Sequence, residues 1–271
     1  MDGYNYITDA NRGIGIRIQK SSCTSLEAQL VLNPNHASLA FRLRYNAYRS
    51  RDFIPTRTDH LFFDSYDKQI NFQTILIFKY GIEAATARIS VFDPNNTDSN
   101  QNKLQAMEIF NDEIEATISA HRLNDKYPRV IEIAKLARSL AFAKDIDPIF
   151  GAYRAAGYLI LHHNIDIVFS GVRTHHIPIY RRFGFQQLTA PREYPGLAFR
   201  TSLMACFRPN FAEARENLPF LRGISTDDAC YAGLIAGERV SLSAPSPETA
   251  SPETATPDGG QPDKTSPRLA A

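Results

Sequence analysis

Residues His176 to Leu188, "HIPIYRRFGFQQL", decide the fold, because they compress a helix with its own start and stop signals between two apolar runs. Pro178 suits a first helical position, where its missing N–H costs nothing; Tyr180 and Phe183 stand three apart on one face; Gly184 can take the left-handed conformation that ends a helix. The run before it, "IDIVFSGV", reads as a buried strand, and "GLAFRTSLMACF" after it as the last strand. Further upstream, "RVIEIAKLA" is a short strand and "DPIFGAYRAAGYLILHHN" a helix, with Asp147 as its cap and Pro148 at its first position.

The N-terminal half continues the mixed pattern. "NFQTILIFKY" and "IEAATARISVF" are rich in β-formers and meet at Tyr80-Gly81, which predicts an antiparallel hairpin with a tight turn. "LQAMEIFNDEIEATI" places Met107, Phe110 and Ile114 on one helical face, as either a lid or a packed helix. At the start of the chain, "GIGIRIQK" alternates Ile14, Ile16 and Ile18 as a half-buried strand, while "SLEAQLVL" and "HASLAFRLRYNAYRSRD" carry apolar residues at helical spacing.

Composition sets the outer limits. With 271 residues, 43% of them apolar and 22% charged, the chain can bury a core of ordinary size. A net charge of +1 makes no general case for nucleic acid or an anionic membrane surface, so any basic docking face must be local. Cys23, Cys206 and Cys230 are odd in number and widely spaced, which argues against a disulfide framework or a cysteine-based zinc site and makes a reducing cytoplasm the expected compartment. The adjacent pairs His162-His163 and His175-His176 point in different directions along a helix or strand, so no metal is expected. No run reaches the roughly 18 to 20 apolar residues of a transmembrane segment. From Ser241 the chain repeats "SPETA" and holds six of its sixteen prolines. The expected organisation is therefore a folded domain over residues 1–240 and a disordered Pro/Ser/Thr/Glu-rich tail over 241–271.

The element order, with the "IPIYRRFGF" helix and turn after its strand, resembles the GNAT acyltransferase superfamily. That resemblance implies an α/β fold: a GNAT-like (acyl-CoA N-acyltransferase) mixed central sheet flanked by helices, in which two central strands splay to admit an acyl thioester. The glycine-rich pyrophosphate loop usual there is missing, since "KLARSLAFAKDIDPIF" has no glycine before the helix. Glycine lets a backbone approach a phosphate closely, so its absence points to a donor whose pantetheine arm is carried by a protein. "LRYNAY", "DSYD", "ATARIS" and "IEIAKLAR" resemble the motif series of the acyl-homoserine lactone (autoinducer) synthases and of the long-chain N-acyl amino acid synthases. "KLARS" and "YRRFGF" resemble the second group more closely.

Carried over by position, the resemblance implies that Arg44 and Tyr48 form an Arg-x-x-x-aromatic pair, Asp64 and Asp67 the spaced carboxylates, Arg88 the strand arginine and Glu132 the strand acid. Lys135 stands where an arginine is usual, and Phe53 is offset from the aromatic expected near Ile54. Arg138 and Tyr180 complete the expected substrate-binding set. On physical grounds Asp64 and Asp67 suit arginine forks, either as a brace or as the wall of an acceptor pocket. Glu132, alternating against Ile131 and Ile133 on a central strand, is either the base that takes the amine proton or a partner of Arg88 or Lys135. The reading is an N-acyltransferase moving a fatty acyl chain from an acyl carrier protein to an amine or amino acid acceptor. Acyl-phosphopantetheine thioester is the co-substrate, and no tightly bound cofactor is expected. Other readings are a lactone synthase, a CoA-dependent N-acetyltransferase and a non-catalytic binding module.

Overall fold

The structure, a computed structural model, describes residues 26–32, 34–95 and 103–242. The expected strand at Ile14 to Ile18 and the tail beyond Leu242 lie outside the described residues. In chain order the elements are β1 (Leu26–Val31), α1 (Pro34–Arg49), a 3-10 turn (Ser65–Lys68), β2 (Phe72–Lys79), β3 (Ile82–Phe92), α2 (Met107–Ala120) and β4 (Val130–Arg138). There follow α3 (Asp147–His162), β5 (Ile167–Arg173), α4 (Ile177–Arg182), the short β6 (Gln186–Gln187) and β7 (Arg192–Glu193), and β8 (Arg200–Phe207). The described chain closes with α5 (Arg208–Asn217), α6 (Ala229–Ile235) and β9 (Val240–Ser241). One sheet runs β6-β8-β5-β4-β3-β2-β1-β9, with β7 also on β8.

The turns follow from their residues. At the hairpin between β2 and β3, Tyr80 and Gly81 take φ of 54° and 79°, the paired left-handed conformation that matches strand twist. α4 ends as its sequence asks: Gly184 has φ 84°, its N–H donates to Arg181 O at 3.1 Å, and Phe185 N–H donates to Tyr180 O at 3.1 Å. The rings of Tyr180 and Phe185 close that stop, 5.2 Å apart.

Three expectations need correction. Leu26 to Val31 is a strand rather than a helix: its apolar spacing fits both periods, but Leu26, Ala28 and Leu30 alternate against Glu27 and Gln29, and β2 supplies an antiparallel partner along its length. Asp147 does not cap α3; Ile146 holds the cap position, Asp147 N–H donates to Asp145 Oδ1 at 3.0 Å, and the Asp147 carboxylate takes Lys79 at 2.8 Å. The folded body also runs past residue 240. Ser241 pairs with Glu27, and Leu242 is buried, its N–H donating to Leu26 O at 2.8 Å.

Each sheet face has its own cover. Ile131, Ile133, Val168 and Met204 pack with Tyr158, Leu159 and Ala155 of α3, while Val130, Ile167, Phe169, Leu203 and Ala205 pack with Phe110, Ile114 and Ile118 of α2. Burial of side chains this size stabilises by about 1.5–3 kcal/mol each, which makes α2 a packed helix rather than a loose lid.

The sheet opens at its centre. β4 and β5 are parallel neighbours, but their pairing stops at Glu132 opposite Phe169, while β4 continues to Arg138 and β5 to Arg173. On its other edge β4 bulges: Lys135 and Leu136 stand opposite the single residue Ala87, and Lys135 takes φ 50°. A lysine pays a conformational penalty in that region, so the surrounding contacts must hold it there.

Candidate active site

The splay between β4 and β5 is a cleft of about 270 Å³. Its α3 and α4 side is mostly apolar, with Ile146, Ile149, Tyr153, Ile179 and Phe183. Its α1 side carries Tyr48, Arg51, Phe53, Lys135, Arg173 and Phe199. No aspartate or glutamate is among the described lining residues.

Behind the α1 side lies the charge network. "DSYD" folds as a capping box around the 3-10 turn: Asp64 Oδ1 accepts from Tyr66 N at 3.0 Å and Asp67 Oδ2 accepts from Asp64 N at 3.0 Å. That geometry explains the spacing of three and aims the remaining lone pairs inward. Arg44 donates from Nη1 to Asp67 Oδ1 at 2.7 Å and from Nη2 to Thr74 Oγ1 at 3.2 Å. Arg88 donates from Nη1 to Asp64 Oδ1 at 2.7 Å and Asp67 Oδ2 at 3.0 Å. The bulged Lys135 reaches Asp64 Oδ2 at 2.8 Å, its ammonium 4.4 Å from the Phe62 ring centre. Both arginines are fully buried.

Protonation follows from these contacts. Burial pushes the Asp64 carboxyl up, but Arg88 and Lys135 outweigh it and hold the pKa down to about 2. Burial lowers Lys135 and Arg44, with Arg88 repelling both. Burial opposes charge on Arg88 as well, yet Asp67 and Asp64 raise it overall.

Glu132 is not the ion-pair partner of Arg88 or Lys135, which pair with Asp64 and Asp67 instead. It makes no ion pair among the described residues, is 2% exposed and does not line the cleft. Its Oε2 accepts from Ala106 N at 3.2 Å, so it caps the start of α2, where no side chain of the helix itself does so. Burial raises its pKa, and Arg88 only partly opposes this.

The other expected residues divide. Tyr48 lines the cleft in an aromatic group with Phe53, Phe62 and Phe199, its ring centre 5.0 Å from that of Phe62. Tyr180 lines the opposite side, its hydroxyl kept protonated by burial. Arg138 is not in the network: its Nη1 donates to Asp145 O at 2.5 Å and its Nη2 to Ala143 O at 2.6 Å, which ties down the segment before α3.

Three participants had no sequence signal. Gln105 bridges the network, accepting from Arg88 Nη2 and donating to Asp64 Oδ2 at 3.2 Å. Tyr194 in turn donates to Gln105 O at 3.1 Å. Arg173 ends β5 and lies against Phe53 at 4.7 Å and Phe199 at 5.4 Å.

Comparison with known proteins bears directly on this site. A family model described as N-acyl amino acid synthase FeeM matches residues 39–206, which span α1 to β8 and every residue of the network. None of the curated proteins matches the chain. Among solved structures, FeeM, an N-acyl amino acid synthase from uncultured soil microbes, superposes with a TM-score of 0.56 at 14% identity, over 73% of this chain and 98% of that one. BjaI, a CoA-dependent acyl-homoserine lactone synthase solved with MTA, gives 0.51 at 13% identity, over 78% of this chain and 99% of that one. At such identities the superpositions show a shared fold, the GNAT-like one. The family match covers more than half of the sequence, and on it this chain belongs to the N-acyl amino acid synthase FeeM family and is an N-acyltransferase.

Proposed function

We propose that the acyl group is a fatty acyl chain delivered by an acyl carrier protein, and that the acceptor is the amino group of an amino acid. The observation that carries the donor assignment is the segment between β4 and α3. It contains no glycine, and several of its N–H groups are already committed within the protein: Ser139 to Ala84 O, Phe142 to Ser139 O, Ala143 to Leu140 O and Asp145 to Phe142 O, with Asp147 at the start of α3 bound to the Asp145 side chain. A nucleotide pyrophosphate needs several free N–H groups on a backbone that glycine lets approach closely; this segment has no glycine, and part of its N–H set is already used. A carrier protein replaces those contacts with its own surface, and the exposed Arg51 at the cleft suits an acidic partner.

In this reading the pantetheine arm enters between β4 and β5, and the acyl chain follows the apolar α3 side. Backbone N–H groups of the bulge polarise the thioester carbonyl, worth roughly 3 kcal/mol per well-placed donor. The amine attacks in a ternary complex: the C–N bond forms, the C–S bond breaks, and one proton passes from nitrogen to sulfur overall. Glu132, with its raised pKa, accepts the amine proton through an intervening water, since it does not reach the cleft wall itself. Tyr180 keeps its proton and faces the departing sulfur as a donor.

The test compares acyl-carrier thioester with acyl-CoA of equal chain length, and analyses by mass spectrometry the lipids of cells expressing the chain. A higher specificity constant for the carrier thioester and new acyl amino acids are expected. Equal or better use of acyl-CoA overturns the donor; acyl lactones or acetylated products overturn the reaction.

A further inference from the structure

The alternation of β5 puts Ile167 and Phe169 against α2, with Val168 and Val172 on the α3 face, so Gly171 and Arg173 look toward the α1 and α2 side. Gly171 contributes no side chain to the cleft it lines, and the space its Cβ would fill lies 3.8 Å from Thr201 Oγ1. Arg173 stands beside that gap. Its Nη1 is buried with no hydrogen-bond partner, and no ion pair engages it among the described residues. Directly across the β5 and β8 register is Thr201, 3% exposed, whose Oγ1 is also buried without a partner. Two unpartnered polar groups, one on a cation that lines the cleft and one on the threonine behind it, thus flank the space beside Gly171, and no carboxylate is among the described residues lining the cleft. Buried donors left in that state cost free energy unless a ligand completes them.

We propose that Arg173, backed by Thr201, is the subsite for the acceptor's carboxylate, so that the enzyme takes amino acids and rejects amines without an acid group. This rests on the N-acyltransfer reading above. A guanidinium fork matches a carboxylate, and Phe53 and Phe199 hold its plane by stacking. The donor's phosphate is the competing anion, and the geometry disfavours it. That phosphate is separated from the sulfur by two amide units, so it lies outside the cleft when the thioester is inside, whereas Arg173 Nη1 is buried within.

The experiment sets the common amino acids against their amides as acceptors, for the wild type and for Arg173→Gln and Arg173→Lys, with melting temperature as the folding check. The amide keeps the side chain and the amine and removes the negative charge; because it also makes the amine less basic, the comparison is read from the change in the acid-to-amide ratio between wild type and variants. The wild type is expected to prefer the acids, Arg173→Gln to lower the acid-to-amide ratio by roughly 10- to 100-fold, and Arg173→Lys to restore part of it. Calorimetric binding of N-octanoylglycine and N-octanoylglycinamide provides a readout independent of turnover. Equal use of acids and amides by the wild type overturns the subsite. So does a loss in Arg173→Gln that falls equally on both, or that appears only as a raised KM for the acyl donor. If the wild type transfers to no amine yet binds N-octanoylglycine over its amide in an Arg173-dependent way, the transfer reading fails and the subsite stands.

Discussion

Asp67→Asn separates a structural charge network from a loosely solvated one. The Asp67 side chain is 2% exposed and is the only carboxylate paired with the fully buried Arg44 among the described residues. It also takes Arg88, but Arg88 keeps Asp64 at 2.7 Å when Asp67 is neutralised. Asparagine retains an oxygen for the Asp64 N–H, so the capping box survives and the loss is electrostatic. Breaking a buried pair by removing one partner costs about 3–5 kcal/mol, because the other charge is left uncompensated. At roughly 2–4 °C per kcal/mol for a domain of this size, the melting temperature should fall by about 6–20 °C. Urea unfolding followed by circular dichroism should show a lower midpoint at unchanged slope. The double substitution Asp67→Asn with Arg44→Met removes the stranded charge and should recover part of the loss. A cost under about 1 kcal/mol for Asp67→Asn, or a double variant no better than the sum of the singles, refutes the reasoning.

Glu132→Gln preserves an acceptor for Ala106 N–H but cannot take the amine proton, so single-turnover transfer should slow by roughly 100-fold or more with little change in melting temperature; a folded variant at near wild-type rate removes Glu132 from the mechanism. Asp64 has its pKa lowered from 3.8 to about 2, so its contribution of about 2 kcal/mol is fully present above pH 4 and lost as pH falls through 2. Glu132, raised by burial, runs the other way and favours the fold as pH falls; the stability gap between wild type and Asp64→Asn, measured by urea titration at several pH values, should therefore narrow in acid. Truncation after Leu242 should leave stability nearly unchanged, whereas truncation after Arg239 removes β9 and the buried Leu242 and should cost about 1.5–3 kcal/mol in urea unfolding.

What the sequence made legible was local chemistry with a geometric rule behind it. The Tyr80-Gly81 turn, the Gly184 stop and the Asp64-x-x-Asp67 spacing each correspond to a backbone conformation that few other residues satisfy as well. The misread segments lacked such a rule. Leu26 to Val31 fits helix and strand alike until β2 is known to lie beside it. Asp147 looked like a cap because Pro148 followed it, but Lys79, remote in sequence, claims its carboxylate. Gln105 and Arg173 carried no signal, because their meaning depends on which atoms the fold leaves facing them. The backbone of Lys135 was equally hidden, since no residue pattern marks a lysine held at positive φ beside Asp64.

If the acceptor is an amino acid, as proposed, the charges of the site bear on each other in a way that favours amide formation. Arg44, Arg88 and Lys135 face Asp64, Asp67 and Glu132, so ionised Glu132 balances the group and a proton on it leaves an excess positive charge. Arg173 and Arg51 add to that field at the cleft. A positive field acts on an amino acid at both ends: it attracts the carboxylate and destabilises the ammonium, lowering the pKa of the amine that must attack. In the proposed mechanism the leaving proton passes to Glu132, whose burial opposes its charge and makes it a better base than an exposed carboxylate. A plain amine gains only the second effect, because nothing anchors it against the repulsion. In the proposed reading it is the cleft cations Arg173 and Arg51, rather than the balanced group that braces the fold, that discriminate between acceptors, and their removal should alter selectivity before it abolishes turnover.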